Sequence, residues 1–148
     1  MPSILVRPIE AGERPEWEPL WRGYQTFYEV SFTDEVTETT WRRLHDFAEP
    51  MRVLGAYVDG ALKGIAHYIF HRSCWTIGDY CYLQDLFVAE SARGLGLGRA
   101  LITAVYEKAD AAGASRVYWL THETNLAAMG LYNQVADRSG FIQYRKML

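Results

Sequence analysis

The stretch ARGLGLGR, residues 92–99, sets Gly94, Gly96 and Gly98 at alternate positions, with Leu95 and Leu97 between them and Arg93 and Arg99 at the flanks. It lies where an extended run ending at Val88 gives way to a helical one. The opening amides of a helix have no partner inside it, and the aligned peptide dipoles favour negative charge there. Glycine removes the Cβ that would keep an anion from those amides, and the two arginines add charge. The pattern therefore suits a phosphate, with a flexible turn that holds no ligand as the plain alternative. Two common phosphate motifs fail. A P-loop requires Gly-Lys-Ser/Thr, whereas Gly98 precedes Arg99 and Ala100. A dinucleotide fingerprint begun at Gly94 would need glycine at Arg99, and one begun at Gly96 would need it at Leu101.

The rest of the chain must position that turn. With 148 residues and 49% hydrophobic content it is sized for one domain, residues 1–148. Fifteen Lys and Arg against eighteen Asp and Glu argue against a nucleic-acid binder, which needs a cationic surplus. A small polar or cationic partner fits better. No run of ~20 apolar residues points to a membrane, and Cys74 and Cys81 form no CxxC motif, so a cytoplasmic setting is expected. His67 and His71 are four apart, but in a strand pattern, with Tyr68 where a zinc-protease motif would have Glu; no metal is expected.

SILVRPIE reads as a strand. PEWEPLWRGYQTFYEV spaces Trp17, Leu20, Trp21, Tyr24, Phe27 and Tyr28 at helical steps, with Pro19 suited to a first turn. TDEVTETTWRRLHDF predicts a second helix with Thr33 or Asp34 as its cap and Trp41, Leu44 and Phe47 on one face. MRVLGAYV and ALKGIAHYIFH are joined by Asp59-Gly60, a pair that supplies the positive φ angles of a tight hairpin. YCYLQDLFV is a further strand. Residues 96–113 then form a helix closed by Gly113, SRVYWLTHE a strand, NLAAMGLYNQVADRSG a helix and FIQYRKM a last strand. The second half alternates like a parallel α/β unit.

Arg93, Gly96 and Gly98 occupy the defining positions of the Arg/Gln-x-x-Gly-x-Gly/Ala signature, and the chain resembles the GNAT superfamily of N-acetyltransferases there. A second similarity lies in Asn125, Ala128, Leu131 and Tyr132, which match the family's Asn-x-x-Ala-x-x-Leu-Tyr segment and are followed by Gly140-Phe141. The element order is similar across almost the whole chain, and the stretch YLQDLFV points to the branch containing yeast histone and D-amino-acid acetyltransferases and, more distantly, diamine acetyltransferases. The resemblance implies an α/β (α+β) fold, a mixed twisted sheet of six or seven strands flanked by about four helices. It implies acetyl-CoA as cosubstrate, held by the main chain of Leu86, Phe87 and Val88, by residues 93–99 and by Asn125. It implies direct acetyl transfer to a primary amine: a small amine, an amino acid, a polyamine or a lysine-containing peptide.

Such transfer needs a neutral amine, a polarised carbonyl and help for the departing thiolate. Tyr132 matches the family tyrosine that lies near the thioester sulfur and gives a proton to the leaving thiolate, and the resemblance implies that the Leu86–Val88 amides serve the carbonyl. The base is open. Relatives place Glu where this chain has Gln84, which accepts no proton at neutral pH, and strict alternation puts Asp85 on the opposite face. Asp85 is either a structural carboxylate or the end of a water chain, with Glu123, solvent and His122 as other routes. Glu29, Asp34, Glu35 and Glu38 near Tyr24, Tyr28 and Phe32 would suit a cationic acceptor, or form an ordinary solvated face. Trp75, Trp119, Tyr118 and Tyr144 exceed what a small core needs, and FIQYRKML could join two copies, since homodimers are common in this branch. A non-catalytic CoA-binding module or sensor, favoured by Gln84, is the rival reading.

Overall fold

A computed structural model describes residues 1–148. In chain order it contains β1 (Ile4–Pro8), α1 (Arg14–Phe27), α2 (Asp34–Leu44), β2 (Met51–Val58), β3 (Ala61–His71), β4 (Tyr80–Val88), α3 (Leu97–Ala111), β5 (Arg116–Tyr118) and α4 (Leu126–Val135). The strands form one sheet in the order β1-β2-β3-β4-β5, antiparallel up to β4 and parallel between β4 and β5. The expected α/β fold is present with five strands rather than six or seven. FIQYRKM, the expected last strand, pairs with no other strand and so forms none, which accounts for the difference from six, and SRVYWLTHE contributes only the three residues of β5.

Local sequence explains most of the frame. Asp59 and Gly60 have φ of 50° and 84°, the left-handed pair that turns β2 into β3. The Thr33 side chain accepts from Val36 N at 3.2 Å and starts α2, whose first turn carries Asp34 and Glu35 and whose last carries Arg42 and Arg43, matching the helix dipole. Two details differ from expectation. Pro15 takes the opening turn of α1, so Pro19 lies inside the helix. α2 stops at Leu44, which leaves Phe47 off the helical face and 88% exposed, with the Arg52 guanidinium 5.2 Å from its ring.

Each face of the sheet covers its own core. α3 lays Leu97, Leu101, Ile102 and Val105 over Leu54, Ala66, Cys81 and Leu83. On the other face α1 and α2 bring Trp17, Trp21 and Trp41 against Val53 and Ile65. β4 serves both faces through one irregularity. His67 pairs with Asp85 but the next residue, Tyr68, pairs with Leu83, so Gln84 is an extra residue with no partner across the ladder. Strict alternation would put Asp85 beside Cys81 and Leu83 under α3. The bulge turns it over instead, to lie with His67 and Trp17 on the α1 face.

Because Leu83 and Asp85 already pair with the consecutive residues Tyr68 and His67, deleting Gln84 closes the bulge and leaves each side chain on the face it holds. Urea unfolding of the deletion is therefore expected to stay cooperative and to keep Asp85 on the α1 face, with Gln84→Ala within about 1 kcal/mol of the parent, whereas Asp85→Leu, which leaves the His67 donor without its acceptor, is expected to lower stability by about 1–3 kcal/mol.

Candidate active site

The glycine turn links β4 to α3 through a short 3₁₀ turn, Glu90–Ala92. Gly94 and Gly96 take φ of 85° and 80°, and a Cβ built on either meets nothing within 4 Å, so the backbone angle demands glycine and the space above the turn is open. The first helical bond runs from Ala100 N to Gly96 O at 3.0 Å, which leaves the amides of Leu97, Gly98 and Arg99 without helical partners. Leu97 is 1% exposed, so its side chain pins the turn to the core and only its amide faces outward. Gly98 serves packing: a Cβ there would meet Leu131 Cδ2 of α4 at 3.3 Å. Arg93 Nε donates to Val88 O at 3.3 Å, Arg99 bonds the Gln134 side chain, and Leu95 is exposed.

Beside this turn the sheet opens. β4 and β5 pair from Tyr80–Arg116 to Tyr82–Tyr118 and no further, so Leu83 to Val88 have β3 on one edge and no strand on the other. The side chains of Leu86 and Val88 pack toward α3. Phe87 turns to the α1 face, where Gly23 lets the helix close over it: a Cβ at that glycine would sit 2.8 Å from Phe87 Cε2. What these three residues offer the opening is main chain. Across the gap, Asn125 starts α4 and its Nδ2 donates to Thr121 Oγ1 at 3.3 Å. Tyr132, one turn past Ala128, lies edge-on to Trp119 with ring centres 5.4 Å apart. Burial, helped by Tyr28, pushes its phenol up to about 12.

The opening continues into a cavity of about 1080 Å³ bordered by Tyr24, Tyr28, Gln84, Asp85, His122 and Tyr132. Asp85 is 6% exposed and accepts from His67 Nδ1 at 3.0 Å, while His67 Nε2 accepts from Trp17 Nε1 at 3.0 Å. The Tyr24 hydroxyl lies within hydrogen-bonding reach of Asp85; burial first and that carboxylate second raise its pKa far above the ordinary phenol. Tyr28 and Tyr82 are raised for the same two reasons in the same order. His67 had no signal in the sequence, since its partners lie 50 and 18 residues away and the contact with Asp85 depends on the bulge. Glu29, Asp34, Glu35 and Glu38 border none of this cavity; Glu38 pairs with Arg14. The acids on its wall are Asp85 and Glu123. His122 is exposed and bonds Thr124 Oγ1 at 2.7 Å. No three His, Cys, Asp or Glu side chains gather as a metal site.

Comparison with known proteins gives a consistent result. The model of the acetyltransferase (GNAT) family matches residues 17–136. The D-amino-acid N-acetyltransferase HPA3 of Saccharomyces cerevisiae is 36% identical, with 97% of this chain and 90% of the yeast protein covered. A thialysine N-epsilon-acetyltransferase of Sus scrofa is 26% identical over 93% of this chain and 86% of its own. Among solved structures, ribosomal-protein-alanine N-acetyltransferase from Brucella melitensis superposes with a TM-score of 0.84 at 20% identity, covering 99% of this chain and all of the other. The aminoglycoside acetyltransferase AAC(6')-Iy in complex with a bisubstrate analogue gives 0.83 at 18% identity, with 99% of each chain covered.

The buried phenols set an alkaline limit. In the unfolded chain tyrosines ionise near ~10, whereas Tyr68 and Tyr132 hold their protons to about 12 in the fold. Their contribution to stability is complete below pH ~10 and is lost as pH rises through about 12. Phenolate absorbance is expected to develop late in the native protein, and urea midpoints to fall progressively above pH ~10.

Proposed function

The chain belongs to the GNAT acetyltransferase family and is an acetyl-CoA-dependent N-acetyltransferase, and from that premise we propose that its acceptor is a small zwitterionic amine, a free amino acid. The observation that carries this reading is a single cavity that joins a deep carboxylate, Asp85, to aromatic walls and to two guanidinium groups, Arg138 and Arg145. An ammonium group suits Asp85 and Tyr24, and a carboxylate suits the arginines. A polyamine would leave both arginines unmatched. The relation to a yeast enzyme named for D-amino acids supports the same class and suggests the D hand.

When bound, acetyl-CoA supplies a thioester carbonyl open to attack by an amine. The residues at hand fit it: the open amides at the start of α3 and the left-handed glycines suit its diphosphate, with Arg93 and Arg99 adding charge beside them. The unpaired main-chain edge at Leu86, Phe87 and Val88 suits its amide-bearing arm and provides donors for the carbonyl oxygen. Asn125 borders the same gap at the start of α4. An alkylammonium holds its proton to ~10.4, so the site must remove it. Asp85 holds and orients the ammonium, whose proton passes to solvent before the neutral amine attacks the carbonyl. Tyr132 keeps its own proton. With the phenol at about 12 and an ordinary thiol near ~8.5, handing the proton over would run uphill by roughly 5 kcal/mol, so its task is to hold a hydrogen bond on the sulfur as charge develops.

The C-terminal segment bears on assembly. Phe141, Ile142 and Tyr144 are 78%, 79% and 90% exposed, an apolar run whose outer side is uncovered although Phe141 and Ile142 also border the cavity. We assign it to a homodimer contact, in which each tail lies on the second copy. Free Cys74 and Cys81 accord with a cytoplasmic protein.

Mixing the protein with acetyl-CoA and a panel of D- and L-amino acids, polyamines and a lysine peptide, while free thiol is followed, tests the acceptor. Thiol release with amino acids is expected; release with polyamines alone overturns the assignment. Tyr132→Phe is expected to lower kcat by about 100-fold while acetyl-CoA affinity is retained. Ending the chain after Arg138 is expected to halve the mass measured by light scattering, and an unchanged mass removes the tail from the dimer contact.

A further inference from the structure

We propose that His67 is a positioning residue for acetyl transfer, locked by the Trp17 indole in the one tautomer that donates to Asp85. An indole nitrogen carries a hydrogen and can only donate. Because Trp17 Nε1 lies 3.0 Å from His67 Nε2, that imidazole nitrogen must be bare. The ring proton is therefore on Nδ1, 3.0 Å from Asp85 Oδ2, where an acceptor-only carboxylate receives it. A doubly protonated ring would set one N–H against another inside a site where Trp17 is 0% and His67 2% exposed. The indole thus fixes the proton, and the proton fixes the carboxylate.

The groups around His67 leave it no competing partner. α1 presents Trp17 and Trp21, with ring centres 5.8 Å and 5.0 Å from the imidazole, and Tyr24 beyond them at the carboxylate. β4 presents Asp85, the one charged group paired with the ring. Trp17 is itself clamped between Trp21 and Trp41, with centres 6.0 Å and 4.8 Å away, so the packing of α1 and α2 on the sheet is transmitted to an acid on the cavity wall. A carboxylate on a strand can swing about its terminal bond. Tethering one oxygen from below leaves it a defined direction toward the cavity, which is what a reaction sensitive to ångström placement requires. This role rests on the reading of Asp85 as the amine-side carboxylate.

The test compares tautomer with turnover. Nitrogen NMR of the wild-type protein at neutral pH is expected to show His67 protonated at Nδ1 and bare at Nε2; a proton on Nε2, or on both nitrogens, overturns the lock without any reference to activity. His67→Leu, which fills the space but donates nothing, is expected to lower kcat for amine acetylation by about 100-fold with KM for acetyl-CoA unchanged. His67→Asn, whose amide N–H falls near the place of Nδ1, is expected to recover to within about tenfold of wild type. Equal kcat in the Leu and Asn variants, at matched thermal stability, reduces His67 to a space-filling group and overturns the proposal. Wild-type protein that acetylates no amine would overturn the functional reading instead, and the NMR result would still decide the tautomer.

Discussion

One inserted residue governs how this sheet can present a site. Gln84 has no partner in the ladder between β3 and β4, and the strand changes face around it. Before the bulge, Cys81 and Leu83 point into the apolar layer under α3; after it, Asp85 meets His67 on the other side. Were Gln84 paired in the ladder like its neighbours, strict alternation would bury the carboxylate among Leu101 and Val105. The extra residue also increases local twist, and the parallel pairing of β4 with β5 ends at Tyr82, just before it. The two consequences belong together. The same distortion turns an acid toward one face and leaves a main-chain edge open on the flank.

That open edge is useful only because the next element returns to it. β4 runs directly into the glycine turn, so the unpaired amides of the strand and those at the start of α3 lie along one line of chain. The turn is exposed above and anchored below: Gly94 and Gly96 carry left-handed backbone with nothing over them, while Leu97 sinks into the core at 1% exposure. Anchoring matters because a loop of glycines alone would lose its preorganisation to backbone entropy. The buried leucine holds the donors in place before any ligand arrives.

Features set by local chain geometry were legible in the sequence. Asp59-Gly60 had to form a hairpin because few dipeptides accept two positive φ angles, and Gly113 closes α3 in the left-handed region, with φ of 77°. The glycine turn could be read from residue type and spacing, while Asn125 and Tyr132 were marked only by the resemblance to the family's second segment. Features set by pairing between distant segments could not. Nothing in YCYLQDLFV announces that Gln84 is the unpaired residue, since a bulge is a relation between two strands. His67 reads as one more residue of a buried strand, and its meaning comes from Trp17, fifty positions earlier in the chain. The shortfall in strands has the same origin: FIQYRKM has a strand's composition, but composition cannot supply a neighbour.

The electrostatics of the cavity give the proposed reaction a direction. Tyr24, Tyr28 and Tyr82 all resist ionisation, chiefly through burial and then through the nearness of Asp85. Phenols that stay protonated are donors, so an anion on the wall faces hydroxyls rather than further anions. On the proposed reading Asp85 attracts the acceptor's ammonium group, in surroundings where water competes less than it does outside. Acetylation removes that charge. The amide formed is neutral at nitrogen and has no ionic claim on Asp85, while its added methyl and carbonyl occupy space the ammonium did not. In the proposed reaction the carboxylate that holds the ammonium therefore keeps no ionic hold on the product, which favours release.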